Sequence, residues 1–133
     1  MVALTENTQK RLSIQTVEIA PNTTAIRSLD WDRDRFDIEF GLQNGTTYNS
    51  YLIKGDRIAL VDTAHVKFRE LYLETLKSLV NPKAIDYVIV SHTEPDHSGL
   101  VEEVLQLAPR ATVLASKVAL QFLENLVQIT FIV

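Results

Sequence analysis

The chain has 133 residues, 46% of them hydrophobic and 23% charged, with a formal net charge of −4 and no cysteine. That length suits one domain with one core, and an acidic balance without basic stripes speaks against a nucleic-acid partner. The lack of cysteine excludes disulfides, thiolate metal sites and cysteine nucleophiles. No apolar run approaches the ~18 residues of a membrane span, and residues 1–20 lack the sustained apolar stretch of a signal peptide, so a cytoplasmic protein is the default expectation.

Residues 1–11 are polar and are expected to be loose at the tip. Ser13–Ala20, with Ile14, Val17 and Ile19 among polar neighbours, predicts a first strand, and Pro21-Asn22 a turn. Thr23–Leu29 is rich in β-formers. Asp30–Asp34 is a charge-dense connection holding the only tryptophan, Trp31, which is expected in the core or a pocket wall together with Tyr48. Arg33 and Arg35 break the acidic stretch Asp30–Asp37, which predicts a solvated, self-paired loop. Phe36, Ile38 and Phe40 alternate with Asp37 and Glu39, the period of a half-buried strand. Gln43-Asn44-Gly45 is a turn. Tyr48–Ile53 and Arg57–Val61 flank Lys54-Gly55-Asp56, a short hairpin with Gly55 available for positive φ.

After Asp62 the period changes. Phe68, Leu71, Tyr72, Leu76 and Leu79 recur at helical spacing from Val66 to Val80, until Asn81-Pro82 stops the helix. His65 is expected at that helix start or on the surface. Ala84–Val90 is an apolar strand. Leu100, Val101, Val104, Leu105 and Ala108 make a second amphipathic helix that ends at Pro109, and Ala111–Ala115 a short strand. Ser116 can cap a third helix carrying Ala119, Phe122, Leu123, Leu126 and Val127, with Phe122 and Leu126 read as core packing. An antiparallel meander followed by β/α alternation predicts a mixed sheet covered by helices. The chain closes on Ile129-Thr130-Phe131-Ile132-Val133, a β-prone apolar strand. Such an end is an aggregation hazard, so the chain is expected to be the front part of a longer protein.

The chemistry concentrates in Ser91-His92-Thr93-Glu94-Pro95-Asp96-His97-Ser98-Gly99. Two imidazoles and two carboxylates follow directly on the apolar run Tyr87–Val90, and charged groups are rarely buried unless paired or bound to metal. In an extended segment His92, Glu94 and Asp96 would share one side. His97 would reach the same cavity if the chain turned there, and Pro95 stiffens the loop. Ser98-Gly99 would begin the next helix. Imidazole and carboxylate together suit iron. Four ligands in six positions are too many for one ion, so Asp96 and His97 fit a second metal ~3.5–4 Å from the first. Asp62, at the end of the strand Leu60-Val61, is either a carboxylate that orients a metal-bound histidine or a turn or cap residue.

His92-Thr93-Glu94-Pro95-Asp96-His97-Ser98-Gly99 resembles the H-x-E-x-D-H-S-G signature of flavodiiron proteins, the A-type flavoproteins of the metallo-β-lactamase-like fold. The resemblance covers about residues 15–128, including Asp30-Trp31, Gly45–Ile53 and Leu60–Thr63, and its flavour is that of the cyanobacterial diflavin group; Val127 to Val133 depart from the pattern. It implies the N-terminal half of an αββα sandwich, an α/β (α+β) fold with a mixed sheet and helices on its outer face. It also implies His92 and Glu94 on one iron and Asp96 and His97 on the other. The family's later His, bridging Asp and last His lie beyond Val133, as do the flavodoxin-like domain that binds FMN and the flavin reductase domain.

The family reduces O2 to water or NO to nitrous oxide, with electrons from NAD(P)H or another donor passing through FMN between subunits paired head to tail. The chain alone is expected to be inactive. The alternatives are a binuclear zinc hydrolase of the same fold, against which Glu94 stands where those enzymes have His, and a non-enzymatic half-domain that pairs with another chain.

Overall fold

A computed structural model describes residues 11–32, 35–36, 40–41 and 45–126. The meander is built as the sequence predicts. β1 (Leu12–Ala20) turns through Pro21-Asn22 into β2 (Thr23–Asp30), with Asn22 in the left-handed region at φ 61°. Asparagine tolerates that conformation better than most residues. β2 then pairs antiparallel with β5 (Thr46–Lys54), and β5 with β6 (Ile58–Val61).

The ends of the stretch expected as one strand from Phe36 to Phe40 pair with each other instead. β3 (Arg35–Phe36) pairs with β4 (Phe40–Gly41), so Phe36 lies opposite Phe40 rather than along one strand with it. Ile38, Asp37 and Glu39 lie outside the described residues. Alternation alone does not separate one strand from two short segments that pair with each other. Gly45, at φ +76°, closes on β2: a Cβ there would stand 2.0 Å from the Asp30 carbonyl oxygen. Gly55, by contrast, is not among the positive-φ glycines; the Lys54–Arg57 hairpin closes through a Gly55 N–H bond to the Arg57 carbonyl, 3.1 Å.

Beyond β6 the chain makes a 3-10 turn (Val66–Phe68) and α1 (Arg69–Leu79). His65 caps that turn, its Nδ1 accepting from the Lys67 N–H, and stacks on Tyr48 with ring centroids 6.0 Å apart. Asn81 caps a second 3-10 turn (Pro82–Ala84), which shortens the following strand, β7, to Tyr87–Ile89. A one-turn helix α2 (Pro95–Ser98), then α3 (Val101–Leu107), β8 (Thr112–Leu114) and α4 (Lys117–Leu126) complete the described chain. The Ala119 N–H donates to Ser116 Oγ, 3.1 Å, which places Ser116 at the start of α4. Residues 129–133 lie outside the described residues.

One six-stranded sheet results, ordered β1-β2-β5-β6-β7-β8, antiparallel through β6 and parallel from β6 to β8. Ile26, Tyr48, Leu52, Leu60 and Val88 of the sheet pack with Phe68, Tyr72 and Leu76, with Val101, Val104 and Leu105, and with Leu123 in one core.

Three expectations change here. Trp31 is 46% exposed and donates its Nε1–H to Ser13 Oγ, 3.1 Å, so it seals the edge of β1 rather than the core; Tyr48 is buried as expected. Phe122 is 54% exposed, whereas Leu123, on the same predicted apolar face, is the residue of α4 that is buried. Asp30 is buried at the end of β2, where it accepts from Tyr48 Oη–H at 2.8 Å and pairs with Lys67. Its neighbour Asp32 pairs with Arg11. Asp30 thus lies in a buried ion pair and Asp32 in a surface one, while Arg33, Asp34 and Asp37 lie outside the described residues.

Candidate metal centre

Parallel strands β6 and β7 end side by side, and the loops that leave their carboxyl ends carry Asp62 and the nine-residue motif. Open sheets with parallel strands commonly place ligands at those ends. The Asp62 N–H donates to the Ile89 carbonyl, 2.8 Å, which locks the two strand ends together. The motif is extended only as far as Glu94 (φ −62°, ψ 150°). Pro95 then opens α2, since proline suits the first turn of a helix. Asp96 and His97 therefore lie on a helical turn, not along an extended i, i+2, i+4 face, and Gly99 and Leu100 form a turn before α3 rather than its first residues.

The donors gather in two pairs. His92 Nε2 lies 3.1 Å from Glu94 Oε1, and His97 Nε2 lies 3.5 Å from Asp96 Oδ2. The two imidazole rings stand 5.4 Å apart between centroids, tilted by 34°. Two donors bound ~2.1 Å from a common ion, at angles between tetrahedral and octahedral, stand ~3.0–3.4 Å apart. The His92–Glu94 pair has that spacing, and the His97–Asp96 pair is slightly wider. His92 and Glu94 are each about half exposed, whereas Asp96 and His97 are more covered. Among the described residues, no group of three or more His, Asp or Glu side chains is arranged to hold an ion by itself. The donor set fits two ions held by two donors apiece, each ion needing donors from elsewhere.

Behind the pairs is a scaffold of oriented polar groups. Asp62 is buried and left-handed at φ 59°. A non-glycine residue there is uncommon and worth a physical account. Its side chain supplies one: Oδ1 accepts from the Ser91 N–H at 2.8 Å, Oδ2 accepts from the Ser91 hydroxyl, and His97 Nδ1 lies 3.0 Å from Oδ2. With Asp62 as acceptor the Nδ1 of His97 carries the proton, and Nε2 is left with its lone pair toward Asp96. The Asp62 carbonyl in turn accepts from Ser50 Oγ–H, 2.9 Å, and Ser50 shares a 2.7 Å bond with Tyr72 Oη. Burial, more than the nearby Asp62 charge, pushes the Tyr72 hydroxyl far above its ordinary range, so it stays a neutral phenol.

Thr63 fixes the far side of α2. Its N–H and its hydroxyl both donate to the His97 carbonyl, at 2.8 and 2.7 Å. Ser98 Oγ–H donates to the Thr93 carbonyl at 2.8 Å. Gly99 is where α2 meets the β6 loop: a Cβ there would stand 2.5 Å from the Pro95 carbonyl oxygen and 2.7 Å from that of Ala64. Ser91 and Thr63 are the residues that the sequence analysis did not single out. Their signal was local: a serine immediately before the motif, and a threonine immediately after a strand-end aspartate.

Residues 46–132 match the family described as ODP family beta lactamase. The chain is 81% identical over 129 residues to a member of the diflavin flavoprotein A series from Nostoc sp., covering 97% of this chain and 22% of that protein. It is 72% identical over 123 residues to Diflavin flavoprotein A 1 of Synechocystis sp., again 22% of the relative. It thus spans about a fifth of the length of the curated relatives it matches. Among solved structures, a metal-soaked flavodiiron core from Synechocystis superposes with a TM-score of 0.80 at 43% identity, over 86% of this chain and 28% of the other.

Proposed function

Because this chain belongs to the ODP family of β-lactamases and matches the front of a metallo-β-lactamase-like flavodiiron core, we propose that it contributes half of a non-haem diiron centre to an oxidoreductase. In this reading residues 1–133 form part of one metallo-β-lactamase-like domain. The remaining ligands, the FMN-binding flavodoxin-like unit and a flavin reductase unit belong to other parts of the complete protein. His92 and Glu94 hold one iron; Asp96 and His97 hold the other.

The observation that carries the proposal is the pairing itself. His92 with Glu94, at 3.1 Å, stands at the separation of donors sharing an ion, Asp96 with His97, at 3.5 Å, is slightly wider, and the two imidazole rings are 5.4 Å apart. Iron held by these residues would supply redox chemistry for reduction of a diatomic substrate, O2 to water or NO to nitrous oxide. The chain's own residues prepare that site. Asp62 holds His97 with Nε2 free, Thr63 anchors the backbone of α2, and Pro95 sets the turn that parts the two pairs. The half-exposed His92–Glu94 pair leaves room for the missing ligands.

Reducing equivalents from NAD(P)H or another donor would pass through FMN, in an assembly of subunits placed head to tail. The whole would work in the cytoplasm; no helix among the described residues is long and apolar enough to cross a membrane. This chain alone, with four ligands and no flavin site, is inactive in this reading.

Metal analysis of the purified chain by mass spectrometry, wild type beside His92→Ala/His97→Ala, tests it. Iron that disappears in the double variant supports the assignment. Zinc in its place, with hydrolysis of a thioester or phosphodiester, would favour the binuclear hydrolase. No metal in either protein would mean that the quartet binds nothing without its remaining ligands.

A further inference from the structure

Two hydroxyls are buried in the core behind the metal centre. Ser50 lies on β5 between Tyr48 and Leu52, and Tyr72 lies on α1; both are fully buried. Alanine and phenylalanine would fill the same space without burying a hydroxyl, which costs free energy unless it is bonded. Both hydroxyls serve one acceptor. Ser50 Oγ stands 2.9 Å from the Asp62 carbonyl oxygen, and Tyr72 Oη stands 2.7 Å from Ser50 Oγ and 3.4 Å from the same carbonyl. Each hydroxyl has one proton to give. The shorter bonds therefore run one way: Tyr72 O–H donates to Ser50, and Ser50 O–H donates to Asp62.

The carbonyl they hold is one end of the Asp62–Thr63 peptide. The other end, the Thr63 N–H, donates to the His97 carbonyl at 2.8 Å. Asp62 enters that peptide at φ 59°, a conformation that a non-glycine residue keeps only where its surroundings impose it. Without a donor the carbonyl would be a buried, unpaired acceptor. Rotation of the peptide toward another donor would carry the Thr63 N–H away from His97. Resting on the assignment of His97 as a metal ligand, we propose that Ser50 and Tyr72 are positioning residues of the metal centre. The hydroxyl pair orients the Asp62–Thr63 peptide, and the two residues of that peptide make both holds on His97: Asp62 Oδ2 at Nδ1, and Thr63 at the main chain. The imidazole then keeps its Nε2 lone pair in a fixed direction before any ion arrives.

The test begins with the metal-free chain. Long-range proton–nitrogen correlation spectra of the 133-residue protein, at mildly alkaline pH where imidazole is neutral, report which nitrogen of His97 carries the proton. Titration with ferrous ion follows. Wild type is compared with Ser50→Ala/Tyr72→Phe and with Leu76→Ala, which opens space in the same core, one turn along α1, and removes none of these bonds. The double variant is expected to fold by circular dichroism and to lose part of its Nδ1–H population at His97. It should bind ferrous ion roughly 3–10-fold more weakly, short of the ~10–100-fold loss for a group bonded directly to a ligand. Leu76→Ala should lower the melting temperature and leave the His97 nitrogens where they were. If the double variant does not fold, Tyr72→Phe alone decides, because it keeps the ring and removes only the first donor: the His97 nitrogen shifts should move in the same direction by less, and no movement there overturns the proposal. Unmoved shifts in the folded double variant overturn it, as does Leu76→Ala displacing them as far, or a wild-type His97 protonated at Nε2. A wild type that binds no iron counts against the diiron reading, and the nitrogen shifts of the metal-free chain still decide the role of Ser50 and Tyr72.

Discussion

Asp62 combines two costs, burial of a carboxyl and a left-handed backbone, and both are offset by the three groups bonded to it. Asp62→Asn tests the arrangement sharply. Asparagine tolerates the positive φ, and its amide oxygen can still accept from Ser91. Its amide nitrogen then faces His97 Nδ1 and requires a lone pair there, which moves the imidazole proton to Nε2, the atom needed by a metal. The expected outcome is a folded protein whose metal affinity falls ~10–100-fold, read by titration with ferrous ion beside a thermal melt. Unchanged affinity would remove Asp62 from the centre. Gly99 makes a different demand, for space. Gly99→Ala forces Cβ against two carbonyl oxygens at 2.5 and 2.7 Å. Overpacking of that kind costs about 1–3 kcal/mol, and denaturant unfolding should register it although φ is unstrained.

The helices show where pattern reading succeeds and where it selects too much. In α1 the spacing of Phe68, Tyr72 and Leu76 names the buried face correctly, while Leu71, on the same predicted stripe, is 39% exposed. In α4 the same reasoning selects both Phe122 and Leu123, and only Leu123 is buried. A helix this rich in apolar side chains offers several stripes, and packing against the sheet chooses among them. Leu123→Ala should therefore cost about 2–5 kcal/mol and Leu76→Ala a similar amount, whereas Phe122→Ala should stay within about 1 kcal/mol. Equal losses at 122 and 123 in urea melts would contradict the observed rotation of α4. The metal motif was legible by composition and by its position after an apolar strand. Its conformation was not, because Pro95 reads equally as a stiffened extended loop or as the first residue of a helix, and only the anchor from Thr63 to the His97 carbonyl decides for the helix. The antiparallel pairing of Phe36 with Phe40 shows the same limit for strands.

At the scale of the whole molecule, the parallel half of the sheet is clamped at its start by one carboxylate. Asp86 Oδ2 accepts from the Ile58 N–H at the head of β6, 2.8 Å, and Oδ1 accepts from Arg110 before β8, 2.6 Å. Its main chain joins the same strands, accepting from the Thr112 N–H and donating to the Ile58 carbonyl, each at 2.8 Å. The Ile58 N–H first, and the Arg110 guanidinium with it, hold the Asp86 carboxyl below its ordinary 3.8, outweighing the opposing effect of burial. In the unfolded chain those donors are gone and the pKa returns to its ordinary value. Asp86 therefore stabilises the fold fully above that value and loses its contribution as pH falls through the depressed native pKa, because the unfolded chain takes up the proton first. Asp32, lowered mainly by the Arg11 N–H, adds a second contribution of the same sign at the start of β1. Asp86→Asn should lower the melting temperature near neutral pH and flatten its decline below about pH 4, since the variant has no proton to gain at that position. Melts from pH 7 to pH 2.5 decide the matter. Parallel wild-type and variant curves across the acid range would mean that the clamp acts through its main-chain bonds, and that the charge of Asp86 contributes nothing to holding β6, β7 and β8 in register.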